Sequence, residues 1–197
     1  MTPWPKIEPT REVNEFLLWI MRENGPGRML DLGCGEGRHS LLFQENGFNV
    51  VGVDYEPSAL IKAKKRSQAA SIGRFGSPSF VAGDLFSLPF KKNIFDVVLD
   101  YGCLHHIKKN DFELYFGILL ELLMPRGYFI LSCFSTAFKH YAGEKRKRDW
   151  LVHKGHYDRF FRKSDFVPLF GSHFDILRII EEKNGLSAFY HVLMRRR

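Results

Sequence analysis

The stretch Met29-Leu30-Asp31-Leu32-Gly33-Cys34-Gly35-Glu36-Gly37-Arg38 reads as a buried strand that runs straight into a glycine-rich turn and opens a helix. Three glycines at alternate positions let the backbone bend tightly and approach a ligand where a Cβ would collide. The next apolar run, Val50-Val51-Gly52-Val53, ends in Asp54, 21 residues after Gly33. A doubly wound nucleotide fold places its ribose-binding carboxylate about 20 residues beyond the glycine turn. Strand, turn, helix, strand and terminal acid in that order predict an α/β chain on a parallel sheet, with its ligand beyond the strands' carboxyl ends.

The sequence also narrows the class of nucleotide. A dinucleotide fingerprint needs Gly or Ala at position 38 for close helix packing beside a pyrophosphate, and Arg38 stands there. No phosphate-cradling G-x-x-x-x-G-K-[ST] occurs. An acid within the strand, Asp31, followed by G-x-G-x-G suits a ligand with a ribose and a cationic amino-acid tail but no phosphate. S-adenosylmethionine meets that description.

Six segments carry a resemblance: Leu30-Asp31-Leu32-Gly33-Cys34-Gly35-Glu36-Gly37, Gly52-Val53-Asp54, Ala82-Gly83-Asp84-Leu85, Phe95-Asp96-Val97-Val98-Leu99-Asp100, Leu104-His105-His106-Ile107 and Pro125-Arg126-Gly127-Tyr128. Through them, residues 28 to 134 resemble the class I, Rossmann-like methyltransferases that use S-adenosylmethionine. The resemblance implies a doubly wound, mostly parallel seven-stranded sheet with its last strand antiparallel, and S-adenosylmethionine as cofactor. It implies cofactor contacts from Asp31, Gly33, Cys34, Gly35 and Gly37, with the glycine loop under the methionyl and ribosyl parts. Asp54, with Tyr55 beside it, would bind the ribose hydroxyls, and Asp84, with Leu85, would meet the adenine amino group. Asp100 and Tyr101 leave the fourth strand where the methyl group is expected and are candidates for the methionyl end. The Asn/Asp-Pro-Pro-aromatic signature is absent there, which disfavours methylation of DNA base nitrogens. The loop Gly33-Cys34-Gly35-Glu36-Gly37-Arg38-His39-Ser40 and the ending Tyr190-His191-Val192-Leu193-Met194 are similar to small enzymes related to tellurite-resistance and thiopurine methyltransferases. That similarity implies a small acceptor, anionic or with a soft nucleophile.

At 197 residues and 45% hydrophobic, the chain suits one well-buried core, so residues 1–197 are expected to form a single domain. Its 29 Lys+Arg against 22 Asp+Glu give +7, which favours anionic substrates or partners. The three cysteines, at 34, 103 and 133, form no C-x-x-C pair and no even disulfide set, so a reducing compartment is expected. Each ends a predicted strand, an arrangement that suggests thiols for a soft element, but simple burial explains it better. No metal site is implied. The start Met1-Thr2-Pro3-Trp4-Pro5 lacks a signal-peptide pattern and no apolar run approaches membrane-spanning length, so a cytoplasmic protein without membrane contact is expected.

In chain order, the prolines of residues 1–9 predict an extended arm, and Thr10 is placed to cap a helix with Val13, Phe16, Leu17 and Ile20 on one face. Residues 1–27 thus form an arm and helix in which Trp4 and Trp19 are candidate lid residues. A helix over 37–46 should face the sheet with Leu41 and Leu42, and a second, opened by Pro57, should run to 70 before a loop over 71–79. Strands are expected at 49–54, 79–82 and 95–100. A helix over 111–124, buried by Leu114, Ile118, Leu119 and Leu122, should turn at Pro125-Arg126-Gly127 into a strand over 128–134. Residues 135–162 mix basic, aromatic and His residues without period, and long irregular loops are disproportionately functional, so this insertion is expected to be a substrate lid. Ser164 is placed to cap a short helix to Phe170, and 174–181 with 188–194 should make a final hairpin.

Methyl transfer from a sulfonium needs orientation and water exclusion, and needs a base only when the nucleophile carries a proton. The sequence accordingly specifies cofactor residues better than catalytic ones. His105 and His106 are candidate bases set against a packing role, since neighbouring side chains point apart. His153, His156 and Tyr157 in the lid are candidates for a base or for anion recognition. A small-molecule methyltransferase is the leading expectation. An RNA or protein methyltransferase docking through the basic 139–163 segment, with Lys145-Arg146-Lys147-Arg148 on phosphates and Trp150, His153 and Tyr157 against bases, is the second. A non-catalytic partner subunit is the third, and the intact Asp31, Gly33, Gly35, Asp54 and Asp84 argue against it.

Overall fold

The computed structural model describes residues 8–70 and 76–197. Residues 1–7 of the expected arm, with Trp4, and residues 71–75 of the 71–79 loop lie outside the described residues. Helix α1 (Arg11–Asn24) buries Val13, Phe16, Leu17 and Ile20 as its 3.6-residue spacing predicts. Thr10 stands at its start but does not cap it through its side chain: the hydroxyl lies 3.3 Å from His39 Nε2, which also accepts the Thr10 amide at 3.2 Å.

Strand β1 (Arg28–Leu32), α2 (Arg38–Glu45), β2 (Asn49–Asp54), α3 (Pro57–Ala69), β3 (Ser79–Ala82) and β4 (Phe95–Tyr101) follow in alternation. Helix α2 turns His39, Ser40, Phe43 and Gln44 inward, where Leu41 and Leu42 were expected. Two contacts fix that phase: the Ser40 hydroxyl reaches Asp31, and Phe43 packs edge-on against Phe48.

Two short turns, over Leu104–His106 and Lys109–Asp111, lead into α4 (Phe112–Leu122). Its buried side chains are Phe112, Tyr115, Phe116, Leu119 and Leu122, and Leu114 is exposed against expectation. The aromatic residues win the inner face because Phe112 and Phe116 stack on one another and meet Phe170, while Tyr115 finds a buried hydroxyl partner in Asp100. Strand β5 (Leu123–Phe134) begins earlier than expected. Pro125-Arg126-Gly127 is a bulge within it, where pairing with β4 skips from Phe95–Leu123 to Val97–Tyr128. Arg126 has φ 65° there.

The 135–162 segment is irregular only in part. It holds an antiparallel hairpin of β6 (Trp150–His153) and β7 (His156–Arg159), and buries Phe138, Glu144, Asp158, Phe160 and Phe161. The sequence shows no period because the two strands have only four residues each. Before α5 (Phe166–Phe170), Asp165 rather than Ser164 ties the chain, accepting the Arg162 amide at 2.8 Å. Strands β8 (Phe174–Asn184) and β9 (Ser187–Arg196) form the final hairpin.

Among the described residues, seven strands make one sheet in the order β3-β2-β1-β4-β5-β9-β8. The five from β3 to β5 are parallel, and β9 runs antiparallel to both neighbours. This is the doubly wound, seven-stranded methyltransferase architecture that the sequence predicts. One face packs on α1 and α2 through residues such as Phe16, Phe43 and Ile130, the other on α4 and α5 through Tyr115, Phe129 and Phe170. Among the described residues no helix is long and apolar enough to cross a membrane.

Candidate active site

The carboxyl ends of β1, β2 and β4 open onto one cleft of about 870 Å³. Its floor is the glycine turn, with φ 63° at Gly33, 53° at Gly35 and 76° at Gly37. Positive φ disfavours a side chain at each position. Space adds a second reason at two of them. A Cβ on Gly33 would fall 2.3 Å from Cys103 Sγ, and one on Gly37 would fall 2.9 Å from Phe80. A Cβ on Gly35 would meet no heavy atom within 4 Å, so the turn is open towards the cleft there.

Two carboxylates flank the turn. Asp54 accepts the Gly35 amide on Oδ2 at 2.8 Å and the Glu56 amide on Oδ1 at 2.9 Å, which pins it beside the loop. Asp31 accepts the Ser40 hydroxyl at 2.6 Å, and burial pushes its pKa up to about 7. Asp84 is exposed beyond β3, where it accepts the Phe86 amide at 2.9 Å. Tyr55, Leu85 and Tyr101 also line the cleft. The Tyr101 ring lies beneath the Arg38 guanidinium at 4.7 Å.

Of the residues singled out from the sequence, Asp31, Gly33, Cys34, Gly35, Asp54, Tyr55, Asp84, Leu85, Tyr101, His106, His153 and His156 share this cleft. Gly37, Asp100, His105 and Tyr157 do not line it. Gly37 lies under Phe80 and Ala63. Asp100 is wholly buried: it accepts the Tyr115 hydroxyl at 2.7 Å and the Cys103 and Leu104 amides, so it holds the turn after β4. His105 stacks on Phe134 at 3.6 Å, and burial holds its pKa well below the ordinary value. Tyr157 stacks on Trp150 at 5.8 Å. The three cysteines are free thiols, and burial pushes each thiol's pKa up.

At the far end of the cleft, His106, His153 and His156 are joined by Asp158, His140 and Lys154, which sequence reasoning missed. Asp158 on β7 is buried, with Oδ1 2.9 Å from His106 Nδ1 and Oδ2 2.9 Å from His140 Nε2. The His140 ring in turn stacks on His153 at 4.2 Å. Lys154, at the hairpin tip with φ 49°, completes this wall. His140 and Asp158 are 18 residues apart without a motif between them, and only the hairpin brings them together.

A methyltransferase-domain family model matches residues 24–170. The chain belongs to that family. An uncharacterised methyltransferase of Schizosaccharomyces pombe is 31% identical over 144 residues, 72% of this chain and 89% of the relative. The demethylmenaquinone methyltransferase of Thermus thermophilus is 31% identical over 55% of this chain and 48% of its own length. Two solved structures share the fold. The 1,6-didemethyltoxoflavin-N1-methyltransferase of Burkholderia thailandensis has TM-score 0.72 at 24% identity, covering 94% of this chain and 78% of that one. The magnesium protoporphyrin IX methyltransferase of Synechocystis has TM-score 0.73 at 20% identity, covering 94% and 82%.

The protein is an S-adenosylmethionine-dependent methyltransferase with S-adenosylmethionine as its cofactor. The cleft suits that group: an open glycine turn, a fixed carboxylate in Asp54 and a buried acid in Asp31 match a ribose and an ammonium, and the sequence carries no phosphate-cradling motif. When bound, the cofactor supplies a methyl group activated on a sulfonium.

Proposed function

We propose that this methyltransferase modifies a small acceptor bearing an anionic group, held between the glycine turn and the β6–β7 hairpin. One observation carries the reading: a single cleft has cofactor-type acids at one end and Lys154, His140, His153 and His156 at the other. Its volume of about 870 Å³ is within the ~300–1,000 Å³ typical of small-molecule sites. Asp54 would bind the ribose hydroxyls, Asp31 the ammonium and Asp84 the adenine edge, with Gly33 and Gly35 against the methionyl chain. The 135–162 segment would cover the acceptor and exclude water.

Three relatives are named for small acceptors, a demethylmenaquinone, a didemethyltoxoflavin and magnesium protoporphyrin IX. These favour a ring compound over the soft nucleophile implied by the resemblance to tellurite and thiopurine enzymes. The docking of RNA on the basic segment loses support from Arg146. Its guanidinium bonds Glu144 at 2.5 Å and the carbonyls of Thr136 and Phe138, and lies over the Phe160 ring, with the side chain only 8% exposed. A guanidinium committed in this way is not available to phosphates.

The test is transfer of a labelled methyl group from S-adenosylmethionine into a cell extract, followed by separation of RNA, protein and small molecules. Label in small acidic compounds is the expected result. Label confined to RNA or protein would overturn the reading.

A further inference from the structure

We propose that His106, oriented by Asp158, is a general base, and that the acceptor is methylated on a hydroxyl oxygen of phenolic type. This rests on the small-acceptor reading above and names the atom that reacts. The geometry has three parts. His106 lines the same cleft as the glycine turn, with its side chain 40% exposed. Its Nδ1 hydrogen-bonds the Tyr157 carbonyl oxygen at 3.2 Å, which can only accept, and lies within ion-pair distance, 2.9 Å, of the buried Asp158 Oδ1. A proton is therefore held on Nδ1, and Nε2 carries the lone pair. A carboxylate that fixes an imidazole tautomer and steadies the imidazolium formed later is the arrangement that activates a weak nucleophile.

Asp158 is itself fixed from behind. His140 Nε2 donates to its other oxygen at 2.9 Å, and the His140 amide donates to Glu144 at 2.7 Å, which Arg146 clamps. The groups packed around His106 come from three elements. From β7 there is Asp158; on its own turn there is His105, whose ring meets it edge-on at 4.3 Å and which burial keeps neutral. From β5 there is the uncharged Phe134 ring at 6.1 Å. His140 and His153 stand behind Asp158, and Lys154 and His156 close the tip of the hairpin.

The acceptor class follows from what needs a base. An aromatic amine or neutral ring nitrogen attacks through a lone pair it already has, an alkyl ammonium is the wrong charge for a wall bearing Lys154, and a thiol, at about 8.5, ionises near neutral pH without help. A phenolic hydroxyl, at about 10, keeps its proton there and gains most from an imidazole. In the step, the hydroxyl proton passes to His106 Nε2 as the oxygen–methyl bond forms. The sulfur–methyl bond breaks and its electron pair stays on sulfur, leaving a neutral thioether. The proton then leaves the imidazolium to water. His106 is the catalytic residue, and Asp158 is a positioning residue.

The full-length protein and its His106→Gln and Asp158→Asn variants test this in two ways. First, ¹⁵N NMR of the histidine rings without cofactor should show neutral His106 as the Nδ1–H tautomer, with its ring signals displaced in Asp158→Asn. An Nε2–H tautomer in the unaltered protein would overturn the proposal. Second, methyl transfer is measured on hydroxybenzoates and on the matching mercaptobenzoates. His106→Gln should slow transfer to the hydroxyl series by ~10²–10⁴-fold in kcat, with cofactor affinity unchanged, and flatten the acid side of the pH profile. Asp158→Asn should also lower kcat more than it raises KM. An equal loss on both series, or none on the hydroxyl series, would overturn the base. Failure of every member of both series with an intact Nδ1–H tautomer would instead overturn the small-acidic-acceptor reading, and the catalytic role of His106 with it.

Discussion

Replacing Asp31 by Asn should change the pH dependence of stability in a direction fixed by burial. Asp31 is 1% exposed, and desolvation raises its pKa from 3.8 to about 7 against the opposing pull of the Ser40 hydroxyl. Below the unfolded value both states hold the proton, and the stabilisation is complete. Between the two values the unfolded chain has lost it and the folded chain has not, so stability falls as pH rises, by ~1.36 kcal/mol per pH unit. From about pH 5 to about pH 7, where the slope has fallen to half, the unaltered protein should therefore lose ~2 kcal/mol that Asp31→Asn retains. Asp100, which burial raises to about 6, adds the same slope to both proteins and cancels in the difference. Asn keeps an acceptor for Ser40, so the comparison isolates the charge. Urea unfolding of the cofactor-free protein, followed by circular dichroism across this range, measures it. Parallel curves for the two proteins would refute the reasoning. The same variant should bind S-adenosylmethionine ~10–100-fold more weakly at about pH 8, because an ammonium loses its charged partner.

Removing the Asp54 carboxylate with Asp54→Ala should weaken cofactor binding by ~100-fold or more in calorimetry. The Gly35 and Glu56 amides would lose their acceptor as well, so a modest fall in Tm should accompany it, and unchanged affinity would refute the ribose assignment. Gly33→Ala should destabilise by ~2–4 kcal/mol, since it adds left-handed strain to a Cβ only 2.3 Å from Cys103 Sγ. Cys103→Ala in the same chain should recover the steric part and leave the strain, a coupling that a double-mutant cycle reads directly. Phe43→Ala, at a fully buried ring packed on Phe48, should cost ~3–5 kcal/mol in urea unfolding, whereas Leu41→Ala on the same helix should cost far less.

The glycine turn, the acids that end β2 and follow β3, and the parallel strands themselves were legible in the sequence because each is a local requirement. A turn at positive φ needs glycine where Gly33, Gly35 and Gly37 stand, and strands buried on both faces read as apolar runs such as Val50 to Val53. The α1 stripe was legible for the same reason. Helix phase was not: Leu41 and Leu114 are as apolar as their neighbours, and only the packing of Phe43 on Phe48 and of Phe112 and Phe116 on Phe170 decides which face turns inward.

The hairpin end of the cleft depended still more on tertiary structure. Asp100 occupies a position that suggests a ligand contact, yet the Tyr115 hydroxyl and two amides converge on it once α4 folds back. Asp158, His140 and His106 come from a hairpin, a loop and a turn, and share no spacing by which they could be found. The sequence by itself determined the sheet and the glycine-turn end of the cleft, because backbone geometry and strand burial constrain nearby residues one at a time. Tertiary structure alone decided the other half, because a carboxylate between two imidazoles is a relation among segments far apart in the chain, set by how the β6–β7 hairpin lies against the turn after β4.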